Sequence, residues 1–202
     1  MDDVYSITKN GKTLEGYKYC MDLKYRVFSS LEDDLEIDFG KYDNWSFTVG
    51  NNCTLRTGSN CSFKAGDNCK FKTTNWCTFS TGYNCTFDTV LHCTFITGGD
   101  CTFDTCDGCT FQTDNRCTFH TGFNCIFKTG TNCTFKTGRN CTFQTASSCT
   151  FDTGSECTFN IWDRNSCKFK KYDGISTILD RNDKKHYLLT KELVQLQKVF
   201  NG

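Results

Sequence analysis

The chain has 202 residues, 23 Lys and Arg against 23 Asp and Glu, no proline, 19 Phe, 17 Cys and 16 Gly. Leu, Ile and Val together number only 24, which excludes an ordinary core of branched aliphatics and leaves Phe and Cys to build a repeated one. The balanced charge argues against a protein that holds nucleic acid or an acidic substrate by bulk attraction.

No run of about 18 uncharged apolar residues is present, so no membrane span is expected. No signal-peptide pattern follows Met1, so the expected location is cytoplasmic. Seventeen thiols cannot all pair, and a reducing cytosol would keep them as small buried hydrophobes.

Residues 4–19 read as two strand-like runs around Asn10-Gly11, a hairpin signal. With the stretch leading into the first coil they form an N-terminal β cap over 1–36. From there Cys recurs every eight residues, at 53, 61, 69 and so on to 157. Phe follows two residues after nearly every one, from Phe63 to Phe159, with Leu55 as a substitute. The unit reads Cys-Thr-Phe-x-Thr-Gly-x-Asn. Ile37 and Phe39, then Trp45 and Phe47, hold the same phase earlier, and Cys167 with Phe169 repeat it after an insertion around Trp162.

Cys and Phe two apart share one face of a short strand, and Gly with Asn supplies the turn. A short strand and a tight corner, repeated without long connections, wind as an all-β parallel β-solenoid (β-helix) over 37–170. Gly at 66, 82 and 98 alternates with Thr74, Val90 and Cys106. This implies two units per 16-residue coil; a three-unit coil would show a period of 24. In-register stacking would allow Thr and Asn ladders. The remaining residues, 171–202, read as a C-terminal cap. Ile175–Leu179 and Tyr187–Leu189 flank the polar turn Asp180–Asp183, and Leu189, Leu193, Leu196 and Phe200 suggest a short amphipathic helix opened by Thr190.

The run from Asn52-Cys53-Thr54-Leu55 to Cys157-Thr158-Phe159 resembles octapeptide solenoid repeats of uncharacterised phage and large-DNA-virus proteins. More loosely it resembles pentapeptide-repeat proteins. The resemblance implies a viral, virion-associated or host-cytoplasmic structural module with a protein partner. Some pentapeptide-repeat proteins mimic DNA and bind gyrase, so the alternative is an inhibitor of a host nucleic-acid enzyme. The acidic run Glu32, Asp33, Asp34, Glu36 and Asp38 is the stripe that such a reading needs.

Catalytic spacing is absent around His92, His120 and His186, so no enzymatic activity and no cofactor are expected. Cys106-Asp107-Gly108-Cys109 is a lone Cys-x-x-Cys that would need two further ligands for zinc. The outward Thr column from Thr78 to Thr118 raises ice binding, but charges such as Lys72, Asp88 and Asp104 interrupt one face and the other is irregular. Candidate binding residues come from one corner of a 16-residue coil, where Trp76, Val90, Leu91, His92 and Phe123 replace the polar turn. Charge also separates along the chain. Residues 1–44 hold 10 acids and 6 bases, 45–160 hold 8 and 8, and 161–202 hold 5 and 9. The segments are therefore −4, 0 and +4, a pattern suited to head-to-tail self-association.

Overall fold

The computed structural model describes residues 5–163, 166–171, 176–190 and 193–198. Among these residues there is no α-helix; Gly16–Lys18 is a 3-10 turn. Each octad forms a strand of three or four residues, as in Thr78–Thr81, Thr86–Asp88 and Thr94–Thr97. What stops each strand is the residue before Cys, which has positive φ: 55° at Asn60, 58° at Asn68, 56° at Asn84 and 58° at Asn140. Left-handed backbone favours Asn, whose short polar side chain pays little steric cost there. The last position of the octad is thus fixed by backbone geometry.

Each strand pairs in parallel with the strand one coil away. Phe79 lies opposite Phe63 and Phe95, and Phe87 lies opposite Phe71 and Phe103. Two octads therefore make one coil, and a three-octad coil is excluded. Alternate octads enter two sheets, of 11 and 13 strands, which form a solenoid of about nine coils. The period of 16 holds between Ser46 and Thr158. Nineteen residues separate Val27 from its partner Ser46, and nineteen separate Thr158 from Thr177. Parallel pairing thus reaches from Val27–Ser29, before residue 37, to Ser176–Asp180, beyond residue 170.

At the N-terminal end, Ser6–Lys9 and Lys12–Thr13 form the hairpin expected from Asn10-Gly11, with φ of 53° and 72° at the turn. That hairpin runs antiparallel to Leu35–Asp38. Cys20–Asp22 likewise runs antiparallel to Val27–Ser29. At the C-terminal end, Ser176–Asp180 pairs antiparallel with Lys185–Thr190.

The amphipathic helix expected from Thr190 is not formed. Thr190 ends one strand, and Leu193–Lys198 is a further strand antiparallel to it; Phe200 lies outside the described residues. The physical reason is competition: a segment this short is marginal as a helix, whereas the preceding hairpin offers it a ready row of backbone partners.

Inside, the Cys column from Cys53 to Cys157 is at most 1% exposed and the Phe that follow two residues on, from Phe63 to Phe159, at most 3%. Phe63, Phe79, Phe95, Phe111, Phe127, Phe143 and Phe159 stack with centroids 4.8–4.9 Å apart and planes within 6°. The column from the other sheet meets them edge-on, as Phe103 meets Phe95 at 5.2 Å and 73°. Both geometries are favoured by the ring quadrupole.

Cys is chosen over Ala or Val because the thiol also donates. Cys93 Sγ reaches the carbonyls of Thr74 at 3.4 Å and Leu91 at 3.5 Å, and Cys125 treats Cys106 and Phe123 alike. Each thiol thus serves its own corner and the coil below. The next thiol in the column, together with burial, pushes Cys61, Cys93 and Cys101 up, Cys93 to about 11. Each has a neighbour at contact, as Cys101 has Cys85. The neighbouring thiol instead lowers Cys85, Cys125 and Cys157 against burial, so the column titrates as coupled thiols, one raised where its neighbour is lowered.

The second Thr of the octad faces inward too, at 5% exposure for Thr73 and 1% for Thr145. Ladders form instead in the Asn column, where Asn84 Nδ2 donates to Asn68 Oδ1 at 2.8 Å and Asn140 to Asn124 at 2.7 Å. The hydroxyls of Thr97 and Thr145 reach the next carbonyl, at 3.1 and 3.3 Å, and the thiols of Cys101 and Cys149. Those of Thr73, Thr89 and Thr105 have no conventional partner.

Candidate interaction edge

Each coil has two corners, and the stacked corners form two edges along the rod. One edge carries 74–76, 90–92, 106–108 and 122–124 in consecutive coils. Ladder bonds hold these corners in register: Trp76 N–H donates to Leu91 O at 3.0 Å, His92 to Asp107 O at 3.0 Å, and Gly108 to Phe123 O at 2.9 Å.

Trp76 and His92 occupy the left-handed position usually held by Asn, with φ of 62° and 54°. Such a φ is unfavourable for bulky side chains. Stacking offsets part of that cost, since the indole and imidazole lie 4.4 Å apart and 22° from parallel. The imidazole in turn occupies the space above Gly108, where a Cβ would stand 2.4 Å from Nδ1. A three-coil stack of indole, imidazole and bare backbone results. The indole remains 58% exposed. Beside it, Val90 is 38% exposed, and half-buried Leu91 donates its N–H to Asn75 Oδ1 at 3.1 Å.

Phe123 is not part of that cluster. Three coils of about 4.8 Å separate it from the Trp76 corner, and its ring lies on Gly138, where a Cβ would be 2.3 Å from Cδ1. The Arg139 guanidinium sits 5.7 Å from the ring centroid. The structure thus gathers Trp76, Val90, Leu91 and His92, and sets Phe123 in a separate Phe–Gly–Arg arrangement.

Tyr83 on the opposite edge does what Phe123 does, lying over Gly98 and donating to Asp114 at 3.3 Å. The signal for it was an aromatic fifteen residues before a Gly, shared by Tyr83/Gly98 and Phe123/Gly138. Sequence reading also missed apolar residues near the N-terminal end, where Tyr17 is 82% and Leu31 93% exposed.

Cys106 is exposed while Cys109 is buried, so the Cys-x-x-Cys pair does not converge. Among the described residues no group of three or more His, Cys, Asp or Glu could hold a metal ion. Several of the acids proposed as a stripe have internal partners. Glu32 pairs with Lys9 at 2.7 Å, which lowers the carboxyl and raises the amine. Asp33 accepts the Asn51 N–H at 2.6 Å, and Asp38 accepts the Gly40 N–H and pairs with Arg56. On the opposite edge Arg116 and Asp100 form a bidentate pair at 2.6 Å, and the guanidinium holds the carboxyl below its usual range.

Among the described residues no helix is long and apolar enough to cross a membrane. No protein-family model, curated protein or solved structure matches the chain.

Proposed function

We propose that this protein is a non-enzymatic interaction module, encoded by a phage or large DNA virus and working in the host cytoplasm or the virion, that docks a protein partner on the Trp76 edge. The observation that carries this reading is the Trp76–His92 stack. An indole is held outward, in unfavourable backbone, on a rigid ladder where the corner would ordinarily take Asn. Exposed, immobilised aromatics are the usual anchors of protein interfaces. Val90 and Leu91 add apolar surface beside it.

The test is affinity purification from infected host cells followed by mass spectrometry, with wild type beside a Trp76→Ser, Leu91→Ser, Phe123→Ser variant. A partner retained by wild type and lost by the variant supports the reading; equal retention removes this edge. A virion component would indicate assembly. A host polymerase, nuclease or gyrase would indicate the inhibitor instead.

A further inference from the structure

The 13-stranded sheet ends in Cys20–Asp22 at one end of the rod and, among the described residues, in Leu193–Lys198 at the other. Each terminal strand is paired on one side within this sheet, leaving a row of backbone groups for another strand. Their directions are compatible. Cys20–Asp22 runs against the coil strands. Leu193–Lys198 runs with them, because two antiparallel pairings separate it from Ser176–Asp180. A second copy translated along the rod axis therefore brings its Cys20–Asp22 antiparallel to Leu193–Lys198 of the first, and the same sheet continues without inverting either rod.

Charge selects this joint over the other two end-to-end joints. Residues 1–44 sum to −4 and residues 161–202 to +4, so two like ends repel and unlike ends attract. The N-terminal end also carries Tyr17, Leu23, Tyr25 and Leu31, all more than 65% exposed, as a surface that burial would favour. The 11-stranded sheet ends instead at Lys168–Lys171, a lysine-rich strand of the kind that discourages pairing.

We infer that the protein assembles head to tail into a polar filament, each end of the rod being occupied by a second copy of this chain. The contact is heterologous and does not close on itself, so growth is open-ended. With 13 strands per copy at about 4.8 Å each, the repeat along the filament is about 60 Å.

Sedimentation velocity of the reduced, full-length protein, from about 5 to 200 µM in about 20 mM and 500 mM salt, tests this. The expected result is a species that lengthens with concentration and shortens with salt, seen by electron microscopy as filaments. Cys20 lies on the joining strand and Cys106 on a corner away from it, and both are exposed. Assembly should slow alkylation of Cys20 about tenfold while leaving Cys106 unchanged, and a bulky maleimide placed beforehand on Cys20 should block growth.

Val194→Pro should also block growth without moving the melting of the coils; should that variant fail to fold, the Cys20 adduct on folded wild type supplies the same block. A monomer at every concentration, growth that stops at two copies, or unprotected Cys20 in an assembled sample overturns the proposal.

Discussion

Gly122 has no room for a side chain because Asp107, fifteen residues earlier, fills the space: a Cβ there would stand 1.8 Å from the carboxylate oxygen. The same Oδ1 accepts the Phe123 N–H at 2.8 Å. Asn51 with Gly66, Asp67 with Gly82 and Asn115 with Gly130 repeat the relationship. An Asx in one corner thus ties down the corner above, most closely where that corner opens with Gly; over Val90 the Asn75 bond to Leu91 is longer, at 3.1 Å. Gly122→Ala should cost about 1–3 kcal/mol in urea unfolding. Adding Asp107→Ala should recover part of the loss, with a coupling of about 1 kcal/mol or more. Strict additivity would show that the clamp is not what Gly122 serves.

The thiols divide sharply by access. Cys20 and Cys106 are exposed, whereas the column from Cys53 to Cys157 is buried. In dilute protein at high salt, where copies are apart, a maleimide should modify the first two quickly. The column should react at least about a hundredfold more slowly, through local opening. Peptide mapping after timed quenching reads both rates, and comparable rates would mean an open core.

Alkaline pH should unfold the protein. Burial disfavours the thiolate at every position of the column, and at Cys93 the bond to Cys109 and burial raise the thiol to about 11, above the roughly 8.5 of an exposed thiol. A raised group contributes its full stability below the unfolded value and loses it as pH climbs through the folded one. The urea midpoint should therefore be flat from about pH 6 to 8 and fall steeply from about 9 to 11, each thiol adding up to about 1.4 kcal/mol per pH unit. A flat profile to pH 11 would contradict the neutral column.

Phe111 touches rings above, below and across, at 4.9, 4.9 and 5.1–5.2 Å. Phe111→Ala should cost about 3–5 kcal/mol by calorimetry or denaturant. Cys109→Ala, which removes a smaller group and a weak donor, should cost about 1–2 kcal/mol. A larger loss for the cysteine would mean that thiol hydrogen bonds outweigh ring packing.

Trp76→Asn restores the residue that the left-handed corner prefers while removing the stack on His92. The two effects, each of about 1 kcal/mol, oppose one another. Thermal unfolding should place this variant within about 1 kcal/mol of wild type. Any loss of partner binding then belongs to the indole and not to folding.

The coil was legible because its cause is local. Cys and Phe two apart specify an inward face, Asn before Cys specifies the reversal, and the alternation of Gly66, Gly82 and Gly98 with Thr74, Val90 and Cys106 sets Phe79 under Phe95. The end of the chain was not legible in the same way. Leu193 and Leu196 fit helical spacing, but Val194 and Leu196 also fit a strand, and the unpaired side of Lys185–Thr190 decided between them. At the candidate edge, the stacking of corners followed from the period. The partner of each ring did not, because it depends on which way the ring turns along the rod: Trp76 turns onto His92 and Phe123 onto the bare Gly138.

The pairing of each strand with the second octad on, and not the next, limits how such a gene can change length. Adding or removing sixteen residues inserts or deletes a whole turn and leaves everything downstream on its own side. A change of eight would send every later strand to the opposite sheet, exchange the two edges, and deliver the C-terminal hairpin to the wrong half of the rod. Length should therefore vary among natural variants of this array in multiples of sixteen, although the visible repeat is half that.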